Sequence, residues 1–254
     1  MKHYRKIFWA ISFIVLLSFC FLPEVTKARA GSCGKWEGIP TITLKLPGQE
    51  IIPSRMTPGK KEPLGKGGHG EEGHHYSQGE MKTVTLSIED FEKYHGGIGP
   101  GNALGFRACQ IALAHLYPGE IAPRKDQFVV SGSEKDCPAD AVTYVTGARY
   151  GKGALGAFNG NVAFDQNVGD FNFIFASMSN GKVVKLINRF EWPQEFIELH
   201  KKGKTLTPEE QTKSEYMTRC LCRYILTAPE KGIFEVIAIT DFNWKAYKEQ
   251  YLKQ

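Results

Sequence analysis

Tyr94-His95-Gly96-Gly97-Ile98-Gly99-Pro100-Gly101-Asn102-Ala103-Leu104-Gly105 is a glycine-rich turn that runs straight into an apolar helix. Five glycines and a proline in twelve residues are too many for a regular element. Glycine costs backbone entropy there and proline lacks a donor. A turn of this composition lets backbone come close to a ligand, a metal or another element. His95 stands at its entry. Just upstream, Ser87-Ile88-Glu89-Asp90 reads as a helix N-cap with an acid at the third helical position. A short helix from Ile88 to about Tyr94 therefore delivers the chain to the turn. Before it, Lys82 to Leu86 alternates as a strand.

The helix leaving the turn is predicted from about Asn102 to Leu116. Leu104, Ala108, Ile111, Ala112 and His115 share one of its faces. Ala103, Gly105, Ala108, Cys109, Ala112 and Ala114 are small enough to admit another element closely. Cys109 reads as core and His115 as a packed or capping side chain. Gln127 to Ser131 is the next strand, and Pro138 suits the first position of a helix over 138–147. Cys137 then lies at that helix N-terminus, where unpaired N–H groups and the positive dipole end favour thiolate. Thiolate is the form that binds metal or attacks an electrophile. Gly151-Lys152-Gly153 lacks the glycine spacing of a phosphate loop and reads as a turn whose lysine faces the same cleft.

Asn180-Gly181 between two apolar runs, Phe171 to Ser177 and Lys182 to Phe190, is a hairpin signal. Trp192 to Lys202 is amphipathic. Thr207-Pro208-Glu209-Glu210 is a capping box opening a helix to about Leu226. Cys220 and Cys222, two residues apart on that helix, point to different faces. Ile233 to Ile239 closes as a strand, and Phe242 to Gln254 is an aromatic, lysine-rich tail.

The chain of 254 residues begins with a basic segment, an apolar run from Ile7 to Leu22 broken by Pro23, and Ala28-Arg29-Ala30, a small-x-small cleavage site. That order is a secretory signal, which predicts residues 1–30 to be removed and the protein exported to the periplasm or outside the cell. An uncleaved N-terminal anchor is the alternative. Cys20 follows the bulky Phe19, which argues against a lipoprotein site. Lys2, Arg5, Lys6, Lys27 and Arg29 against Glu24 give residues 1–30 a net charge of +4, of the +5 on the whole chain, leaving +1 (5 − 4). The charge thus makes no case for nucleic acid. Residues 31–80 read as an extension. Thr41 to Leu46 alternates as a possible strand, and Gly65 to Gly79 is a solvated linker carrying His69, His74 and His75. The compact domain is expected over 81–241, with 242–254 as the tail. Beyond the signal the cysteines are Cys33, Cys109, Cys137, Cys220 and Cys222. An odd number leaves at least one outside a disulfide within the chain. No Cys-x-x-Cys occurs, which argues against a zinc ribbon and a thioredoxin-like site.

From about Leu86 to Val236 the chain resembles the FmdE component of molybdenum or tungsten formylmethanofuran dehydrogenase and its stand-alone homologues. The pieces that carry the resemblance are Tyr94-His95-Gly96, Pro100 to Arg107, Asp136-Cys137-Pro138-Ala139-Asp140-Ala141, Thr146-Gly147, Gly151-Lys152-Gly153, Pro208-Glu209-Glu210, Ala228-Pro229-Glu230 and Ile233-Phe234-Glu235-Val236, in one order. The resemblance implies an α+β fold, helices packed on a mixed β-sheet, and a homodimer. The family's turn reads His-Gly-His-x-Cys-Pro-Gly. Its second His and its Cys, with the Cys of the later helix start, are associated with zinc or another transition metal. Here those two turn positions are Gly97 and Gly99, while His95 and Cys137 remain. Two ligands are few for a tight site.

The expectation is an exported FmdE-like protein that binds a metal ion or small ligand. His95 and Cys137 are the metal candidates. Gly96, Gly97, Gly99, Asn102, Asp140 and Lys152 are the ligand-binding positions. An enzyme with a Cys137 thiolate and a His95 acid–base partner is one alternative. An envelope interaction module is the other. No stable membrane insertion is expected after signal cleavage.

Overall fold

The computed structural model describes residues 36–48, 79–132, 136–148 and 161–252. The signal sequence, Cys20, Cys33, His69, His74, His75 and Lys152 lie outside the described residues.

Among the described residues, two sheets and seven helices make an α+β fold. The first sheet holds β1 (Ile42–Gly48), β2 (Gly79–Leu86) and the two-residue β3 (Ala122–Pro123), in the order β2-β1-β3. The strand expected near 41–46 thus forms. Its Leu44 is buried in the same core as the domain that follows, so the core reaches back into the stretch read as an extension. Alternation alone shows that a segment can be a strand; its pairing partner decides which body it joins.

The second sheet holds β4 (Gln127–Ser131), β5 (Val162–Phe164), β6 (Phe173–Ser177), β7 (Val183–Asn188) and β8 (Phe234–Ile239), in the order β5-β4-β6-β7-β8. It is mixed: β4 and β5 are parallel and the other pairs antiparallel. The β6–β7 hairpin turns at Asn180-Gly181, with Gly181 at φ 74°. That left-handed conformation costs glycine nothing.

Both faces of this sheet are covered, so β4 and β6 read as apolar runs rather than as alternation. On one face lies α2 (Pro100–Leu116), whose Leu104, Ala108, Ile111 and Ala112 share a core with Phe173, Phe175, Val184 and Leu186. On the other face Phe128, Val130, Ile174 and Val183 meet Trp244 and Tyr247. Those two belong to α7 (Trp244–Leu252), so most of the expected tail is a helix docked on the sheet.

Around α2 stand α1 (Ile88–His95), α3 (Asp136–Thr146) and α5 (Pro208–Thr227), with α4 (Gln194–Lys202) and the single turn α6 (Glu230–Ile233) beyond. The Ser87–Asp90 and Thr207–Glu210 capping boxes both form. A Cβ built on Gly105 would lie 2.4 Å from the Pro138 carbonyl oxygen. Only glycine there lets α2 and α3 approach this closely, and that approach sets the two sides of the site against each other.

Candidate functional site

The glycine turn joins α1 to α2. Gly96 ends α1 at φ 85°, its N–H donating to the Glu92 carbonyl at 2.8 Å. Gly99 caps α2, and Pro100 takes the first helical position. Across the turn, α3 begins with Asp136 and Cys137.

Asn102 ties these parts together. It is 1% exposed. Its Oδ1 accepts from the Gly99 N–H at 3.0 Å, and its Nδ2 donates to the Cys137 carbonyl at 2.8 Å. The amide named as ligand-binding is therefore spent on backbone, where it positions the turn against the start of α3.

His95 is held from three sides. Phe91, fully buried, packs on the imidazole with ring centroids 5.3 Å apart. Nδ1 meets the Gly97 carbonyl at 2.8 Å, so Nδ1 carries a hydrogen. Nε2 meets Asp140 Oδ2 at 3.2 Å. With both nitrogens protonated the ring satisfies both oxygens. The thiol–imidazole pair of the catalytic reading would have to compete with Asp140 for Nε2. Asp140 lies one turn after Cys137 on α3, so the carboxylate and the exposed Cys137 share a stripe of that helix.

The floor of the turn is open. A Cβ on Gly97 would meet no heavy atom within 4 Å, and one on Gly99 only Asn102 Oδ1 at 3.5 Å. Neither glycine has positive φ. A Cβ on Gly101, by contrast, would lie 3.1 Å from Cys137 Cβ and 3.9 Å from Phe171 Cε1. Phe171 sits at φ 57°, a left-handed conformation uncommon for an aromatic residue, and its ring packs on Trp192 at 5.7 Å. Beyond His95, Tyr94 and Tyr144 pair at 5.4 Å, and Tyr94 is 69% exposed. Aromatic side chains thus flank the polar groups at both ends. Tyr94 was in the motif itself, yet nothing in its local sequence distinguishes it from a helix-end residue. No local signal brings Phe171 or Trp192 to Cys137.

The other cysteines behave as core. Burial pushes the Cys109 thiol up and the Cys222 thiol up to about 12, so neither is a nucleophile at neutral pH. Cys222 points its thiol at the Ile98 carbonyl, 3.9 Å away, behind the turn. Cys220 is disulfide-bonded, which agrees with the two side chains leaving opposite faces of α5. His115 pairs with Glu230 at 3.0 Å, away from the site.

Among the described residues no three His, Cys, Asp or Glu side chains gather as a metal site. His95 and Cys137 alone do not fit a tightly held zinc, which takes four protein ligands in structural sites and three in catalytic ones.

Residues 94–235, more than half of the chain, match the family model described as FmdE, Molybdenum formylmethanofuran dehydrogenase operon. The chain belongs to the FmdE family. Among solved structures it is similar to a tungsten formylmethanofuran dehydrogenase FmdE-like protein from Syntrophus aciditrophicus. That match has 18% identity, covers 60% of this chain and 70% of the other, and has a TM-score of 0.37. No curated protein matches. The FmdE match begins at Tyr94 and takes in the glycine turn, Cys137 and Asp140, so every described site residue lies within it.

Proposed function

We propose that this FmdE-family protein is exported and binds a small organic ligand over the open glycine turn. In this reading the His95–Asp140 pair and Cys137 contact the ligand. The observation that carries it is the space at Gly97 and Gly99, open to any side chain yet bordered by a carboxylate, an imidazole and a thiol. The glycines also leave backbone N–H groups uncovered for an anionic or carbonyl group. A metal fits this reading less well, because only two of the turn's expected ligands are present. The disulfide at Cys220 supports export, since such bonds persist in oxidising compartments.

Native mass spectrometry of protein isolated from the envelope fraction tests this. A small-molecule adduct is expected on the wild type and is lost in Gly97→Phe, whose ring fills the space without backbone strain. An adduct retained by the variant, or no adduct at all, overturns the ligand reading. Elemental analysis decides the metal reading in the same preparation. Stoichiometric zinc that disappears in Cys137→Ser would replace the organic ligand with a metal.

A further inference from the structure

We propose that Cys220 is joined to Cys33, and that this bond is a redox-sensitive clasp holding the N-terminal strap, residues 36–48, against the helix that backs the glycine turn. The chain has six cysteines. Cys109, Cys137 and Cys222 carry thiols, and Cys220 is in a disulfide. The cysteines that remain, Cys20 and Cys33, both precede Trp36. Either partner therefore fastens the N-terminal side of the strap to α5. Cys20 belongs to the apolar run expected to be cut away, which leaves Cys33.

The described contacts place the start of the strap beside Cys220. Arg223, one helical turn after Cys220, donates from Nη2 to the Glu37 carbonyl at 3.1 Å. Trp36 donates from Nε1 to Glu92 Oε2 at 2.8 Å. The four residues from Cys33 to Glu37 span at most roughly 14 Å, and Cys220 to Arg223 rises only about 4.5 Å along the helix. The reach is sufficient. Glu92 lies one turn before His95 on α1, and Cys222, on the next face of α5, bonds the Ile98 carbonyl inside the glycine turn. Strap, α5 and turn are thus parts of one packed block, and the clasp closes its outer edge.

The chemistry is ordinary exchange. One thiolate of the pair attacks a disulfide-bearing oxidant of the compartment and forms a mixed disulfide. The second thiolate then displaces the oxidant's sulfur. The two thiols lose two protons and two electrons, and the oxidant leaves as a dithiol. A dithiol reductant runs the same steps backwards and opens the clasp. The inference is independent of what the cleft binds.

Peptide mapping of the exported full-length product under non-reducing conditions is the direct test. A cross-linked peptide pair holding Cys33 and Cys220 is expected. Cys220 found as a thiol, or bonded to any other cysteine, overturns the proposal. Reduction is expected to lower the melting temperature by roughly 5–15 °C. Reduction should also speed amide hydrogen exchange in Ile42–Gly48 and across Gly96–Gly101. Unchanged melting and exchange after reduction would show a bond that clasps nothing. Cys33→Ser and Cys220→Ser should each reproduce the reduced state, and the double variant should lose no more than either. Additive losses would mean that the two residues do not share one bond.

Discussion

Asn102 is the residue on which the geometry of the site depends most. Its side chain serves two backbone groups on opposite sides of the cleft, the Gly99 N–H and the Cys137 carbonyl. Asn102→Ala leaves both groups partly buried without that partner. Each orphaned group costs about 1–3 kcal/mol, so a loss of about 2–4 kcal/mol in urea unfolding is expected. Asn102→Asp keeps the acceptor for Gly99 but loses the donor to Cys137, and should recover only part of that loss. Equal stability of Asn102→Ala and wild type would remove Asn102 from its positioning role. The sequence placed Asn102 at the site but not in this role, because a side-chain amide that bonds two distant backbone groups has no local signature. The same limit applies to Asp126, whose Oδ2 gathers the hydroxyls of Tyr117, Ser177 and Ser179. Three segments must meet before that knot exists.

Helix ends were the most legible elements, since a cap is a contact between residues three apart. Ser87 accepts from the Asp90 N–H at 3.1 Å and Thr207 from the Glu210 N–H at 3.2 Å. Thr207→Ala should cost about 1 kcal/mol in thermal or chemical unfolding, and no measurable loss would show that the first turn of α5 stands on packing alone. The C-terminal helix was the least legible element. Its composition reads as a tail until the sheet supplies a surface for Trp244 and Tyr247. Tyr247 also donates its hydroxyl to Asp165 Oδ2 at 2.6 Å. That bond, with the Asn167 N–H, holds the Asp165 carboxyl below its ordinary value of 3.8. A depressed carboxyl stabilises the folded state above the unfolded value and loses that contribution as pH falls through the folded one. Tyr247→Phe should therefore be less stable than wild type by about 1 kcal/mol at pH 7. The gap should narrow once pH drops below the ordinary value of 3.8. A gap that is the same at pH 7 and in acid would show that the hydroxyl acts without the charged carboxylate.

For the whole molecule, the homodimer implied by the family resemblance predicts a scattering mass near twice that of the processed chain, itself somewhat below the full 28.4 kDa. A monomeric mass at micromolar concentration would count against it. The sequence by itself determined the order of most elements, both capping boxes, the Asn180-Gly181 hairpin and the glycine turn with His95 at its entry. All of these rest on contacts within a few residues or on backbone freedom encoded in single side chains. Family membership was also legible, because its motifs keep their order from Tyr94 to Glu235. Only the tertiary structure decided what faces the turn. Asp140 reaches His95 across 45 positions of chain, and Gly101 comes against Cys137 and Phe171 from separate elements. Those encounters depend on how closely α2 and α3 pack, which Gly105 permits and the shared core enforces. Local sequence carries a helix and its cap, but a cleft is a relation between surfaces. It exists only once burial of the Phe173 and Phe175 face has pressed α2 onto the sheet and fixed every helix around it.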